Sequence, residues 1–337
     1  MREEYAIRIE KALDTVPNGT FAIERHGTQD AHSAHMVEQF TTQTEGKGKI
    51  ESYPLFAGIE IRLHRYLAEQ VRFHHVAKDF VLEVNHCRTG RIGWNMCDGA
   101  SVYLGPGDLC VHSNASCADS EMTLPLGCYE GMAVMIDLHR LKMDCPALLR
   151  EAGLDAEKLY RKFCAGKRPI GIPASSAIDA IFAPLYDLSA SVRIPYYKLK
   201  AQELLLYLMQ WEALPEDELI QYGAEKTELI KEIRHFLVQH LDQRFTIEAL
   251  SKKYLINTSS LKAVFKAVYG MPIAAYVKEY RMQQAMRLLR ETDDSIATIA
   301  AQVGYETQGK FTKAFKASVQ MLPTEYRKLY RKEPLHP

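Results

Sequence analysis

The sequence predicts an α+β protein, with a strand-rich N-terminal body, a helical segment, and an all-helical C-terminal domain. Three observations predict it. Apolar residues alternate in short runs from about 49 to 137 and recur at helical spacing from about 138 onward. Two stretches in the last third of the chain resemble each other. The 42 basic and 42 acidic side chains cancel in sum but not in place: residues 225–337 carry 19 basic against 12 acidic side chains, +7, and residues 1–224 carry 23 against 30, −7.

The elements follow in order. Ile7, Ile9, Leu13 and Val16 give residues 5–16 helical spacing, and Pro17-Asn18-Gly19 stops it. Gly58–His64, Phe80–Val84 and Arg91–Trp94 alternate as strands. Arg88-Thr89-Gly90, Cys97-Asp98-Gly99 and Gly105-Pro106-Gly107-Asp108 separate them as turns. Short strands spaced by turns suggest a β-sandwich or small barrel over 1–137. In the helical segment, 138–214, Ala177, Ile178, Ile181, Phe182, Leu185 and Leu188 share one helix face. Leu199, Glu203, Leu206 and Gln210 mark a line on the next helix, which Leu204, Leu205 and Leu208 make apolar over a wide arc. Such an arc needs cover on more than one side, from the body and from a partner helix, so this segment is a candidate homodimer interface. Pro215-Glu216-Asp217-Glu218 opens a linker, 215–224.

Composition sets limits. A chain of 337 residues makes two or three domains with a sizeable core. The 47 % hydrophobic and 25 % charged fractions are ordinary for a globular chain, against wholesale disorder or a collagen-like repeat. No apolar run is long enough for a membrane helix, and the charged start Met1-Arg2-Glu3-Glu4 lacks the apolar core of a signal peptide. Seven cysteines without a CxxC pair fit a reducing cytosol, so the expected location is cytoplasmic, with no membrane partner.

Each of the similar stretches reads as helix-turn-helix. The first runs from Leu250-Ser251 through Leu255 and Thr258-Ser259-Ser260-Leu261 to Phe265-Lys266-Ala267. The second runs from Ile299-Ala300 through Val303-Gly304-Tyr305 and Thr307-Gln308-Gly309-Lys310-Phe311 to Phe315-Lys316-Ala317. Tyr276 and Tyr326 follow at the same distance. Thr246, Ser295 and Thr307 stand where N-caps belong, and Gly304 where a left-handed stop does. Leu261, Val264, Phe265 and Val268 pack inward in one copy, and Phe311, Ala314 and Phe315 in the other. Ser259, Ser260, Lys262, Ala263 and Lys266 then face outward, as do Gln308, Gly309, Lys310, Thr312, Lys313 and Lys316. A helix from Pro272 to about Glu291 joins the copies, with a stripe of Ile273, Tyr276, Val277, Tyr280, Ala285, Leu288 and Leu289.

A helix fits the major groove, where polar side chains tell base pairs apart, and Lys and Arg attract phosphate regardless of sequence. Lysines on one helix can be a mere solvated face. Two copies, both basic on the outward side, favour double-stranded DNA as the partner.

Residues 228–331 resemble the DNA-binding domain of AraC-type (arabinose-regulator-like) transcription factors. The match is carried by Ser295-Ile296-Ala297-Thr298-Ile299-Ala300-Ala301-Gln302-Val303-Gly304-Tyr305, Phe311, Phe315-Lys316, Pro323 and Tyr326-Arg327, with Arg281, Ala285 and Leu288-Leu289 in the joining helix. The resemblance implies two helix-turn-helix units entering successive major grooves, and activation through RNA polymerase. It implies base reading at Ser259, Lys262 and Ala263, and at Gln308, Gly309, Lys310, Thr312 and Lys313. Ala263 and Gly309 offer only apolar or backbone contacts, so specificity falls on Lys262, Gln308 and Lys313. Leu255 stands where the family has glycine, and Gln320 and Leu322 replace a glycine and a small hydroxyl residue before Pro323.

The acidic body resembles the sensing half of such regulators. Its Gly105-Pro106-Gly107-Asp108 turn is similar to one in cupin-like barrels, which can enclose one small ligand. Asn85-His86-Cys87-Arg88-Thr89-Gly90-Arg91 with Trp94 is similar to a subgroup that includes ferric-siderophore regulators. Arg88, Arg91, Trp94, Tyr103 and His112 are candidates to line a pocket for a small-molecule effector. No cofactor is expected.

His74, His75 and His86 suggest metal, but two His one residue apart followed by Glu are missing. His32 and His35 sit in a polar loop. Cys87, Cys97, Cys110, Cys117 and Cys128 crowd the strands, where a thiol sensor needs exposure and a low pKa. A cupin enzyme with an added DNA-binding tail is a further alternative. A methyl-accepting repair protein wants Pro-Cys-His-Arg; the one Pro beside a cysteine, Pro146, follows Cys145 instead of preceding it. The expected function is therefore a ligand-controlled transcriptional regulator, not an enzyme.

Overall fold

The computed structural model describes residues 2–26, 36–41, 46–72, 80–95, 99–117, 121–165, 169–212, 220 and 222–331. They fall into two compact units, Met1–Ala224 and Glu225–Pro337. His32, His35, His74, His75, Cys97 and the side chain of Cys117 lie outside what is described.

The first unit begins with α1 (Arg2–Ala12), β1 (Thr20–Arg25), β2 (Met36–Thr41), β3 (Gly46–Phe56), β4 (Ile59–Ala68) and β5 (Gln70–Arg72). It continues with β6 (Val81–Gly90), β7 (Ile92–Asn95), β8 (Ala100–Leu104), β9 (Leu109–Ser113), β10 (Glu121–Thr123) and β11 (Tyr129–Asp137). Then come α2 (Leu138–Met143), α3 (Ala147–Glu151), α4 (Ala156–Phe163), β12 (Ile170–Ile172), α5 (Ser176–Phe182), α6 (Ala190–Gln210) and β13 (Tyr222–Gly223).

The strands build two sheets, ordered β12-β9-β6-β11-β4-β3-β1-β2 and β13-β8-β7-β10-β5. Neighbours are antiparallel except β1 and β3. Period-two alternation assigns the faces. Ile61, Leu63, Leu82, Val84, Val111, Met132 and Val134 pack against Phe163, Phe182, Tyr197 and Leu204 of the helices. From the opposite face, Phe21, Tyr66, Cys87, Cys110 and Tyr129 meet Ile92, Trp94, Val102 and Leu104 of the smaller sheet. The larger sheet is covered on both sides, which is why β9 is buried at every position.

The expected small barrel is, among the described residues, two open sheets rather than a closed ring. The chain changes sheet at Gly90, between β6 and β7. This residue has φ +84°, and a Cβ there would lie 2.1 Å from the Cys128 carbonyl oxygen, so only glycine makes the corner.

Three further expectations are corrected. The helical segment contains β12, which pairs with β9. The helix read through Leu188 ends at Phe182, because Pro184 forces a tighter 3-10 turn over Ala183–Asp187. Ile7 of the first helix is exposed, while Ile9, Leu13 and Val16 are buried. Most of the linker lies outside the described residues, and its end, Tyr222–Gly223, pairs with Ala100 and Ser101 of β8.

The second unit is all helical: α7 (Ala224–Gln239), α8 (Ile247–Lys253), α9 (Thr258–Tyr269), α10 (Ile273–Glu291), α11 (Ile296–Gln302), α12 (Gln308–Val319) and α13 (Pro323–Tyr330). α10 serves both halves. Ile273 and Tyr276 are buried near its start, and Met282, Ala285, Met286 and Leu289 further on. Val277, Tyr280 and Leu288, expected in one straight stripe, are only half-buried, because the buried face turns as the helix passes from one half to the other.

Candidate functional site

The helix pairs α8–α9 and α11–α12 are the two helix-turn-helix units. Thr246, Ser295 and Thr307 cap as their sequence positions suggest, each oxygen accepting from the backbone N–H three residues on. α9 has a cap beyond those expected: Asn257 Oδ1 accepts from the Ser260 N–H at 2.7 Å and from the Ser259 hydroxyl at 2.8 Å. Asn is a standard capping residue, so the signal was present one place before Thr258.

Caps and cores together set the outward faces. On α9, Leu261, Val264, Phe265 and Val268 are buried, leaving Ser259, Lys262, Ala263 and Lys266 exposed and Ser260 half-buried. On α12, Phe311 and Phe315 are buried, leaving Gln308, Gly309, Lys310, Lys313 and Lys316 exposed and Thr312 half-buried. Nothing lies within 4 Å of where a Gly309 Cβ would be, so the front of α12 offers bare backbone.

Arg281 fixes the halves to one another. It reaches from α10 to donate to the Leu241 and Gln243 carbonyl oxygens, at 2.6 and 2.9 Å. Burial lowers its pKa, and these carbonyls receive the desolvated charge. Gly304 of the second turn packs against the same place: a Cβ there would sit 2.0 Å from the Leu241 oxygen. Arg244 adds a second link, 3.5 Å from Glu306.

The five candidates in the first unit do not converge. Arg88 points to the helix layer, pairing with Asp187 and lying over the Tyr186 ring. Tyr103 packs over Gly93 across the β7–β8 pair, and the Arg91 guanidinium lies against Gly105. Trp94 and His112 do meet between the sheets, ring centroids 6.1 Å apart. Strand alternation explains the scatter: neighbours along a strand point to opposite faces.

Cross-strand register brings other residues to that inter-sheet face. Glu83 pairs with His112, Ala133 lies between Asn85 and Arg62, and Gly131 lies beside His64. Glu83 accepts from the Asn85 and Asn114 amides at 3.0 and 3.2 Å. Burial raises its pKa, but His112 and the two amides outweigh that and hold the carboxyl below its ordinary value. His112 Nδ1 faces the Ser113 carbonyl at 2.9 Å and its Nε2 faces Asn85 at 3.2 Å. Burial pushes His64 down to about 4. Glu83, Asn85, Arg62 and His64 lie on alternate strand positions whose common direction only the sheet register reveals.

Burial pushes the Cys87 and Cys110 thiols far up and Cys164 to about 12, against a reactive thiolate. Glu24, His26 and Glu51 lie close enough to share a metal ion. Lys49 and Arg65 already neutralise those carboxylates.

Residues 250–329 match a family model described as a helix-turn-helix domain. The chain is similar to the transcriptional activator RhaR of Mannheimia succiniciproducens, 33 % identical over 97 residues, 29 % of this chain and 35 % of that one. It is similar to the uncharacterized transcriptional regulator YisR of Bacillus subtilis, 31 % identical over 150 residues, 44 % of this chain and 50 % of that one. The chain thus spans between a third and a half of the length of these relatives. Among solved structures, the C-terminal domain of the response regulator AraT from Geobacillus stearothermophilus aligns at 26 % identity and TM-score 0.31, over 32 % of this chain and 91 % of that one. The named relatives are regulators rather than enzymes, and the C-terminal unit belongs to the AraC-type family of helix-turn-helix DNA-binding domains.

Proposed function

We propose that the chain is a ligand-controlled transcriptional activator that binds DNA as a homodimer. The observation that carries it is the pair of outward faces on α9 and α12, held in one unit by α10 and Arg281. On this reading Lys262, Gln308, Thr312 and Lys313 read base edges, with Ser259, Ala263 and Gly309 in close approach, and Ser260, Lys266, Lys310 and Lys316 serve phosphates. Enrichment of duplexes from a randomised pool by the full chain tests it. One or few related sequences should emerge, with affinity falling steeply as salt rises. Binding without preference or without salt dependence would refute it.

Control by a small-molecule effector is assigned to the inter-sheet face around Trp94, His112, Glu83 and Asn85. It supplies an aromatic wall with donors and acceptors, the usual make-up of a ligand site. An effector that prefers the folded unit raises its thermal midpoint. His112→Ala should abolish that rise. The neutralised Glu24–His26–Glu51 cluster and the buried thiols give no support to a metal or thiol sensor.

The homodimer is assigned to α6. Val192 and Leu199, one heptad apart, are 47 % and 54 % exposed, and Leu206 continues the line half-buried. Leu199→Glu should yield monomers in sedimentation. Contact with RNA polymerase and action in the cytoplasm follow from the regulatory role. No helix of the described residues is long and apolar enough to cross a membrane.

A further inference from the structure

Glu306 stands immediately before Thr307, the cap of α12, and is exposed. Its Oε2 accepts from Lys310 Nζ at 2.5 Å, and its Oε1 lies 3.5 Å from the Arg244 guanidinium. Lys310 belongs to the first turn of α12, whereas Arg244 comes from the turn between α7 and α8 in the other half. One carboxylate thus engages two cations from two halves, at the positive end of a helix. Lysine, arginine and a helix N-terminus are also the groups that receive a DNA phosphate.

We infer that Glu306 is a specificity-determining residue: in the free protein its carboxylate stands in for a DNA phosphate, holding Lys310 and Arg244 back from DNA that offers no matching bases. The inference rests on the reading that α12 faces DNA. An exposed ion pair is weak, so it opens readily when something better replaces it. On a matched duplex, base contacts along α12 hold the backbone close, and phosphate displaces the carboxylate. On an unmatched duplex nothing holds α12 down, and the carboxylate repels the approaching phosphate. The two cations so occupied together make one phosphate site fewer at which counterions are released from the DNA. The acidic group therefore weakens non-specific binding more than specific binding.

The test uses the full chain, a duplex enriched by the unsubstituted chain from a randomised pool, and a scrambled duplex of the same composition, across a salt series. Glu306→Gln should bind the scrambled duplex about fivefold more tightly near physiological salt, with a log–log salt slope steeper by about 1, as for one added phosphate contact. Affinity for the enriched duplex should change less, so discrimination falls. Adding Arg244→Gln and Lys310→Gln to Glu306→Gln should cancel the gain on the scrambled duplex. Unchanged circular dichroism confirms that the exposed substitutions leave the fold intact. Unaltered scrambled-duplex binding would overturn the inference. So would a loss confined to the enriched duplex and reversed by changing one cytosine, since Glu306 would then read a base. If the unsubstituted chain enriches no duplex, the reading of α12 fails first, and the inference with it.

Discussion

Tyr276 and Tyr326 hold the same place in the two halves of the C-terminal unit. Tyr276 meets Phe265 edge-on at 5.6 Å and 80°, and Tyr326 meets Phe315 at 5.6 Å and 78°. Each hydroxyl accepts from an arginine of the helix preceding its motif: Arg234 Nε at 2.9 Å and Arg290 at 3.1 Å. The repeat in the sequence is thus a repeat of packing and of a polar tie.

The equivalence predicts equal costs. Tyr276→Phe and Tyr326→Phe should each destabilise the unit by about 1.5–3 kcal/mol, the usual worth of a hydrogen bond to a charged group. The double substitution should be close to additive, since the two hydroxyls are tied to different arginines. Urea unfolding followed by circular dichroism measures both; a cost several times larger on one side would break the equivalence.

Two turns carry strain that a third avoids. Leu255 (φ +51°) and Gln320 (φ +60°) are left-handed without being glycine. Leu255→Gly or Gln320→Gly should stabilise by about 1 kcal/mol each, the low end of the cost of that conformation for other residues. Leu255 tolerates its side chain because it points into solvent, 94 % exposed. Gly304→Ala should instead destabilise by roughly 3 kcal/mol, adding a clash with the Leu241 carbonyl to the strain. The same urea experiment ranks the three.

Base and phosphate contacts separate by their footprint. Lys313→Ala should relax preference at one base position and cost about 1–3 kcal/mol on the enriched duplex. Lys316→Ala should weaken all duplexes alike and flatten the salt slope by about 1. Binding assays on single-base variants of the duplex distinguish the two patterns, and a uniform loss with Lys313→Ala would make it a phosphate contact.

Acid should unfold the first unit in part through His86. This ring stacks on Phe182 at 4.4 Å, faces the Tyr186 hydroxyl at 2.8 Å, and burial pushes its pKa down to about 4. Above the unfolded value of about 6.5 its contribution is fully present. As pH falls from there to about 4, the unfolded chain gains a proton that the folded chain resists, and up to about 3 kcal/mol is lost. His86→Gln should flatten stability against pH across that window, as read by urea midpoints; an unchanged slope would show that the ring titrates freely.

By itself, the sequence determined the C-terminal unit almost completely. Helical periodicity, caps and the 11-residue step from Phe265 to Tyr276, repeated from Phe315 to Tyr326, are local signals, and a helix turns local spacing directly into a face. They gave the outward residues of α9 and α12. The tertiary structure decided what depends on distant partners. Arg244 meets Glu306, and Arg281 meets Leu241, across long stretches of chain that no periodicity connects. In the first unit the strands were legible, but the direction of each side chain depends on register and on which sheet a strand joins. A one-place change of phase therefore sent Arg88 to the helices while Glu83 and Asn85 joined His112 and Trp94 between the sheets.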